Sequence, residues 1–302
     1  MIGYFPEPYQ GELFYSVCAR FGARMALPTT TGVIRALFGS RHAVAVVDLP
    51  NHLEKLVSSL PPGTTLTVDR VIDQHTLFPL FQPFLDSTSC ERIRGFMRTR
   101  QDSDIKARGG RCKNRIRPPE YFRACPKCDA ENRTNYDETY WHRLFQIAGV
   151  EVCPIHEVFL VRTNIRFQPL ANRHCFVPAD SAKLVATFKK IDINNPQHRI
   201  LLQLAKAVAW VLDQARLNPG FDFLQDRYLQ LLRERSLATR GGSIRMAELK
   251  PDLAPESFTI KNMVARMKRL KTDPFSGAIN DQQHLEPSLK LLSAKYKDAG
   301  LG

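Results

Sequence analysis

Four side chains that commonly bind transition metals stand in two matched pairs. Cys125 and Cys128 form the first pair, and Cys153 and His156 form the second, with two residues between the members of each pair. Thiolate and imidazole are the ligands of tetrahedral zinc sites, and a tight turn with this spacing aims both ligands at one point. A proline follows the first cysteine of each pair and restrains that turn. The spacing therefore predicts one bound Zn²⁺.

Two other interpretations of these cysteines are open. Two short pairs can occur by coincidence, and a Cys-x-x-Cys pair can be redox-active. No alternating strand and helix pattern surrounds Cys125 and Cys128, and redox activity would not account for the second pair. A catalytic zinc keeps one coordination position for water, which four protein ligands would fill. We therefore expect a closed structural site. The free energy of metal binding at this site would contribute to the folding free energy of the protein.

His142 lies between the two pairs, in the segment YWHRLFQ. We interpret it as a packed or capping histidine, with an additional ligand as the alternative. Its aromatic neighbours Tyr140, Trp141 and Phe145 are expected to cover the metal site, because an apolar shell controls the access of water to a bound metal.

Helical patterns precede the metal pairs. Apolar residues recur on one face over 11–24, a short helix is predicted over 31–38, and two further helices are predicted over 41–60 and 65–77. Gly39 can end the second of these helices. The first two helices resemble a helix-turn-helix unit, although a helical hairpin used only for packing has the same pattern.

Helical patterns also follow the metal pairs. The sequence predicts long helices over 197–217 and 222–235, and the segment LATRGGSIRMAEL after them has the outline of a second helix-turn-helix unit. Beyond it, KNMVARMKRLK predicts a basic helix that leads into a polar tail. The predicted fold class is therefore mostly α, with a helical N-terminal lobe of helix-turn-helix character, a small central zinc-finger module and a C-terminal helical, helix-turn-helix lobe.

These patterns divide the chain into four predicted segments. The N-terminal helical domain covers 1–100, and the basic segment with the zinc-finger module covers 101–178. A helical domain of helix-turn-helix type follows over 179–255. A basic helix and a weakly ordered tail occupy 256–302.

The chain is strongly basic, with a net charge of +13 and a pI near 9.6. Between residues 92 and 123 there are eleven Lys and Arg residues and only three acids, a net charge of +8. Such a segment suits the phosphates of double-stranded DNA, and a solvated basic linker is the alternative interpretation. Six residues are candidate DNA contacts in the basic segment and near the Gly-Gly turn: Arg111, Lys113, Arg115, Arg117, Arg240 and Arg245.

Several classes of protein are disfavoured by the composition. No apolar run of about 18 residues is present, so we expect no membrane span. The opening residues lack the pattern of a secretory signal, and seven cysteines do not suggest a disulfide framework, so a cytoplasmic protein with reduced thiols is expected. No P-loop occurs, which leaves ATP chemistry to a partner. A zinc-dependent nuclease would need carboxylates in a pattern that is absent around the metal pairs.

The combination of two motifs resembles the TniQ/TnsD family of bacterial transposon target-selection proteins. The first is the opening FPEPYQGELFYSVCARFG at 5–22, and the second is ACPKC followed by YWHRLFQIAGVEVCPIH. The stretch HTLFPLFQPF at 75–84 is closer to the TnsD branch. The matching positions are Phe5, Pro6, Pro8, Glu12, Leu13, Tyr15, Ser16, Ala19, Arg20, Cys125, Cys128, Trp141, Arg143, Cys153 and His156.

The resemblance implies a non-enzymatic adaptor with no small-molecule substrate, located in the bacterial cytoplasm at the nucleoid. Such a protein would bind a DNA attachment site and recruit the AAA+ ATPase TnsC, which brings in the transposase. Two alternatives stay open: a TniQ-type adaptor that couples a CRISPR Cascade complex to TnsC, and a zinc-containing DNA-binding transcription regulator.

Overall fold

The computed structural model describes residues 2–27, 29–40, 43–99, 119–167, 174–214, 221–239 and 241–243. Most of the regular structure in these residues is α-helical, as the sequence predicts. The helices are α1 (Phe14–Arg24), α2 (Thr30–Phe38), α3 (Leu53–Val57), α4 (Val68–His75), α5 (Phe78–Phe81), α6 (Ser87–Arg98), α7 (Pro126–Tyr136), α8 (Pro196–Asp213) and α9 (Phe221–Glu234).

In the described part of the chain, four short strands accompany the helices. They are β1 (Tyr121–Ala124), β2 (Val152–Cys153), β3 (Val158–Phe159) and β4 (Val161–Arg166). The strands form two separate antiparallel ribbons, β1 with β4 and β2 with β3. In the first ribbon, Tyr121 lies opposite Arg166 and Arg123 lies opposite Arg162.

Local chemistry sets several helix ends. The Thr29 side chain accepts a hydrogen bond from the backbone N–H of Gly32 at the start of α2, and Thr67 caps α4 in the same way. Gly39 ends α2 with φ of 65°, a left-handed conformation that glycine adopts without strain. The predicted helix over 41–60 is wrong over residues 43–52, and residues 41 and 42 lie outside the described residues. Pro50 cannot continue a helix from preceding residues, and the helix begins only at Leu53.

One apolar core connects the helices α1 to α6 and α8 with the elements around the four predicted metal ligands. We call these elements, β1, α7 and β2 to β4, the metal module. Buried side chains of α1 to α6 pack together with Phe122, Trp141 and Phe167, and with Leu204 and Val208 of α8. The predicted segments 1–100, 101–178 and 179–255 therefore share a continuous apolar core in the described residues. No helix among these residues is long and apolar enough to cross a membrane.

The two predicted helix-turn-helix units are not confirmed. Helix α1 is buried along Phe14–Phe21, so most of its surface packs inside the protein and only its C-terminal end is exposed. Helix α2 does expose Thr31, Arg35 and Ala36 on one side. In the second predicted unit, α9 is described, but the helix expected to follow the Gly-Gly turn lies outside the described residues. The predicted basic helix and tail over 256–302 lie outside them as well.

Candidate metal centre and the residues around it

The four predicted ligands come from two turns that face each other. Cys125 follows β1 directly and stands at the N-terminal cap of α7, and Cys128 lies in the first turn of that helix. Cys153 ends β2, and His156 lies in the turn between β2 and β3. In that turn Glu157 has φ of 53°, and its N–H donates to the carbonyl of Cys153.

The structure brings the four ligand atoms together, all within 4.8 Å of one another. The Nδ1 atom of His156 lies 3.6 Å from Sγ of Cys125, 3.3 Å from Sγ of Cys128 and 3.7 Å from Sγ of Cys153. The Sγ atoms of Cys128 and Cys153 are 3.7 Å apart. A regular tetrahedron with Zn–S bonds of about 2.3 Å has S–S edges of about 3.8 Å and slightly shorter S–N edges. The cluster therefore has the dimensions of a four-coordinate metal site.

The site is closed to solvent. The side chains of Cys125 and Cys153 are fully buried, Cys128 is 4% exposed and the His156 side chain is 12% exposed. Phe145 and Val158 are buried against the sulfurs, and Leu144 and Leu160 pack around them. Four protein ligands inside an apolar shell leave no position for a reactive water, which is the arrangement of a structural metal site.

A carboxylate orients the histidine ligand. The Nε2 atom of His156 lies 2.8 Å from Oε1 of Glu131, which stands one helical turn beyond Cys128 on α7. A carboxylate accepts, so Nε2 carries the proton and Nδ1 presents its lone pair to the three sulfurs. The sequence analysis did not identify Glu131. Its spacing of three residues from Cys128 on a predicted helix is the signal that could have found it.

Hydrogen bonding among the thiols favours loss of a proton at one of them. Side-chain hydrogen bonds from Cys125 and Cys128 lower the pKa of Cys153 well below the usual value of a thiol, and the backbone N–H groups of Ile155 and His156 make smaller contributions in the same direction. The hydrogen bonds to Cys125 and Cys153 raise the pKa of Cys128. The protons of these thiols are therefore shared within the cluster, and a cation would displace them, because thiolate is the form that binds metals.

His142 is a packed histidine and not a ligand. Its Nε2 atom lies 3.0 Å from Nδ2 of Asn132, and its ring packs between Tyr140 and Phe145. Burial lowers the pKa of His142 to about 4. The prediction that Trp141 covers the metal site is wrong: its ring stacks on Phe122, with centroids 4.4 Å apart, inside the main core.

The backbone of the metal module pairs with the chain ahead of α1. The N–H of Leu13 donates to the carbonyl of Trp141 at 2.9 Å, and the N–H of Arg143 donates to the carbonyl of Gly11 at 2.9 Å. The N–H of Trp141 donates to the Ser16 hydroxyl at 3.0 Å. The opening motif therefore holds the metal module against the helical lobe.

A buried ionic network lies at the same boundary. Arg20 donates to Oε2 of Glu12 at 2.8 Å and to Oε1 of Glu138 at 2.8 Å, and its side chain is only 4% exposed. Tyr9 and Arg24 also bind the Glu138 carboxylate. Burial raises the pKa of Glu12 to about 7, against the Arg20 charge and the backbone N–H of Tyr9, which lower it. One buried guanidinium thus connects α1 with the chain that follows α7.

Arg143 makes a second connection. Its guanidinium donates to the carbonyls of Asp73 at 2.9 Å and Leu212 at 3.0 Å. Arg143 thereby fixes the C-terminal ends of α4 and α8 against the metal module. Because these acceptors are backbone carbonyls of two helices, the planar fork of arginine suits the position better than a lysine would.

In the described part of the basic segment 92–123, three arginines make contacts within the protein. Arg94 pairs with Asp73 at 2.5 Å, and Arg98 pairs with Asp69 at 2.5 Å. Arg123 donates to the carbonyls of Phe145 and Ile147 and pairs with Glu151. The six predicted DNA contacts, Arg111, Lys113, Arg115, Arg117, Arg240 and Arg245, lie outside the described residues.

The structure is that of a helix-rich protein in which a closed Cys₃His site is docked on the N-terminal helical lobe. The sequence model of the TniQ family matches residues 3–160, which include both the opening motif and all four ligands. The chain belongs to the TniQ family, whose members are non-enzymatic target-selection adaptors.

The chain is similar to the transposon Tn7 transposition protein TnsD of Escherichia coli. The two are 27% identical over 244 residues, which is 80% of this chain and 46% of TnsD. The chain thus spans about half the length of that relative.

Proposed function

We propose that the protein is a DNA-binding target-selection adaptor of a bacterial transposon, which recognises an attachment site and recruits the AAA+ regulator TnsC and thereby the transposase. The observation that carries this proposal is the similarity to the Tn7 protein TnsD, which extends over 80% of the chain. A second observation supports the proposal: hydrogen bonds join the opening motif to residues 141–143, and both lie in the segment that the TniQ family model matches.

The metal of this unit is proposed to be one structural Zn²⁺ bound by Cys125, Cys128, Cys153 and His156. Soft thiolates select zinc over magnesium or calcium, and the edge lengths of the cluster suit Zn–S and Zn–N bonds. The ion would stabilise the turns that carry β1, α7, β2 and β3. It would take no part in chemistry on DNA.

DNA would be bound through phosphates first. The net charge of +13 favours polyanions, and the candidate contacts Arg111, Lys113, Arg115 and Arg117 lie in the most basic part of the sequence. Arg240 and Arg245 are the candidates for contact near the predicted second helix-turn-helix unit, where a recognition helix would reach base edges in the major groove.

A mobility-shift titration against the attachment site and an unrelated duplex, over a salt series, tests DNA binding. The change Arg115→Gln with Arg117→Gln is expected to weaken binding to both duplexes and to reduce the salt dependence by about 0.9 per lost phosphate contact. Arg240→Gln with Arg245→Gln is expected to reduce the preference for the attachment site. The matched control is Arg35→Gln with Lys55→Gln, two exposed bases of the helical lobe. Wild-type binding that is weak and insensitive to salt would reject DNA binding.

Recruitment of TnsC is tested separately by pull-down of purified TnsC with and without attachment-site DNA. We expect TnsC to be retained with the protein and the retention to increase on DNA. Retention only in the presence of a guide-RNA complex would favour the Cascade-coupled adaptor instead. Specific DNA binding with no retention of TnsC under any condition would favour a transcription regulator.

A further inference from the structure

The ribbon of β1 and β4 has one face in the core and one face in solvent. Phe122 and Thr163 point inward, and the Thr163 hydroxyl donates to the Phe122 carbonyl at 2.8 Å. Alternate residues therefore point outward. We call the outward side chains of the ribbon and of the segment beside it the ribbon face: Tyr121, Arg162, Asn164, Arg166 and Lys183.

The segment 183–190 extends this surface beyond β4. The N–H of Val185 donates to the carbonyl of Arg162 at 3.0 Å, and the N–H of Asn164 donates to the carbonyl of Lys183 at 3.1 Å. The Lys183 N–H in turn donates to the Asn164 side chain at 2.8 Å. Bridges from Thr163 to Leu184 and from Val158 to Lys190 continue the pairing. All eight residues of this segment are exposed.

Two guanidinium groups share one aromatic ring on the ribbon face. The Cζ atoms of Arg162 and Arg166 lie 4.6 Å and 5.5 Å from the centroid of the Tyr121 ring. Stacking on the ring orients both groups and lowers the entropy cost of fixing them on a ligand. It also holds two positive charges close together. An anion that contacts both groups would relieve their repulsion.

Little negative charge is available within the protein to balance these groups. Arg162 and Lys183 form no ion pair with a carboxylate of the described residues. Arg166 is 3.5 Å from Glu120, but the two side chains are 50% and 66% exposed, so solvent screens the pair. Over 157–166 and 183–190 the single acid is Glu157, which pairs with Lys206. The same residues contain five bases: Arg162, Arg166, Lys183, Lys189 and Lys190.

The shape of this surface suits a repeating anion more than a small one. The bases lie along extended backbone on an open face, where a small anion would stay hydrated. A nucleic-acid backbone presents phosphates at regular intervals and releases condensed counterions when lysine and arginine contact them. The ribbon is also a rigid support. Strand β1 continues directly into Cys125 of the candidate metal site, and Arg123 donates hydrogen bonds to the carbonyls of Phe145 and Ile147.

We propose that the ribbon face is a contact surface for the phosphate backbone of duplex DNA, with Arg162, Arg166 and Lys183 as the phosphate-binding residues and Tyr121 as the residue that positions the two arginines. The inference rests on the proposed DNA-binding function and locates a part of it in the described residues. Its contacts are to the backbone, so the ribbon face contributes affinity and orientation without selecting a sequence.

The test compares two double variants that each remove two positive charges. Arg162→Gln with Lys183→Gln changes the ribbon face, and Arg35→Gln with Lys55→Gln changes exposed bases of α2 and α3. Binding to the attachment-site duplex and to an unrelated duplex is measured over a salt series. Loss of two phosphate contacts is expected to weaken both affinities roughly 10- to 100-fold at 0.1 M salt and to lower the salt slope by about 1.8. The control is expected to bind like the wild type.

A third variant separates positioning from charge. Tyr121→Leu keeps all the bases and removes the ring that orients them. It is expected to weaken binding several-fold while the salt slope changes much less than in the double variant. Equal metal content and melting temperature in all variants confirm that the ribbon is folded.

Three outcomes would overturn the inference. The first is wild-type affinity and salt slope in the ribbon-face variant, which would leave the proposed function standing. The second is a loss in the helical-lobe control that equals the loss in the ribbon-face variant. The third requires a double-stranded RNA of the same length as an additional probe: if the ribbon-face variant loses binding to this RNA and keeps wild-type binding to both DNA duplexes, the surface belongs to RNA. Failure of the wild type to bind any duplex would instead reject the proposed function on which the inference rests.

Discussion

The Nε2 atom of His156 lies 2.8 Å from Oε1 of Glu131, and the Nδ1 atom of the same ring faces the sulfurs of Cys125, Cys128 and Cys153. The ring is therefore fixed from both sides. One nitrogen is held by a carboxylate on α7, and the other completes a tetrahedral cluster at the turn between β2 and β3.

The purified protein is expected to contain about one zinc ion per chain, since the cluster offers four ligands. Cys128→Ser and His156→Ala should each lower the metal content and the melting temperature, because metal binding contributes to the folding free energy. Elemental analysis and thermal unfolding measure the two effects. Cys175→Ser is the matched control, since Cys175 lies outside the cluster. Unchanged metal content and melting curves in the ligand variants would contradict the metal assignment.

Glu131→Gln is expected to weaken zinc binding without abolishing it. Loss of the carboxylate partner of a histidine ligand typically costs about 10- to 100-fold in metal affinity. Competition with a chromophoric chelator measures this change. Glu91→Gln, an exposed carboxylate of α6, is the control and should retain wild-type affinity. Equal affinity of the two variants would show that Glu131 does not support His156.

Arg20→Met is expected to destabilise the protein by about 3–5 kcal/mol, because it leaves the buried Glu12 carboxylate without its partner. Addition of Glu12→Gln should restore part of this loss. Urea unfolding of both variants measures the free energies. The control is Arg24→Met, whose side chain is 42% exposed and also contacts Glu138; its effect should stay below about 1 kcal/mol. Equal losses for Arg20 and Arg24 would exclude a special contribution of the buried pair.

His75 should contribute to acid sensitivity. Its Nδ1–H donates to the Glu12 carbonyl at 2.9 Å, its buried Nε2 has no hydrogen-bond partner among the described residues, and burial lowers the pKa of His75 to about 4. The folded protein therefore keeps this ring neutral while the unfolded chain takes up a proton. Stability from this residue is present above about pH 6.5 and is lost as the pH falls towards 4, by at most about 3 kcal/mol.

The variant that tests this is His75→Asn, which retains an N–H donor near the position of Nδ1. The wild type is expected to lose more unfolding free energy than the variant between pH 7 and pH 4, measured by urea unfolding at several pH values. His198→Asn on α8 serves as the control. A parallel pH dependence of the wild type and His75→Asn would show that His75 does not cause the loss.

Arg143→Lys is expected to destabilise the protein by about 1–3 kcal/mol, because the single nitrogen of a lysine would replace the two separate guanidinium nitrogens that donate to the Asp73 and Leu212 carbonyls, and at least one of these hydrogen bonds would be lost or lengthened. Chemical denaturation measures the change. Arg35→Lys, at an exposed position of α2, should be neutral. The idea fails if the two substitutions have the same effect.

Much of the candidate metal site was predictable, because the two ligands of each pair are close neighbours in the sequence. Cys125 and Cys128, and Cys153 and His156, are each brought together by one short turn, and a spacing of two residues is visible in any sequence. The helices were predictable for the same reason, since their apolar periodicity repeats within a few residues. The error over 41–60 came from counting apolar residues across Pro50, which local rules could have prevented.

The tertiary structure decided which charged residues form ion pairs within the protein. Arg94, Arg98 and Arg123 belong to the predicted basic segment, yet each forms an ion pair with a carboxylate of the fold. Arg162 and Lys183 lie outside that segment and form no ion pair with a described carboxylate. Arg20 meets Glu138 across 118 positions of sequence. The sequence by itself determined the two pairs of candidate metal ligands and most helices, since each depends on neighbours along the chain. The partners of buried charges depend on the whole packed core, and only the folded chain assigns them.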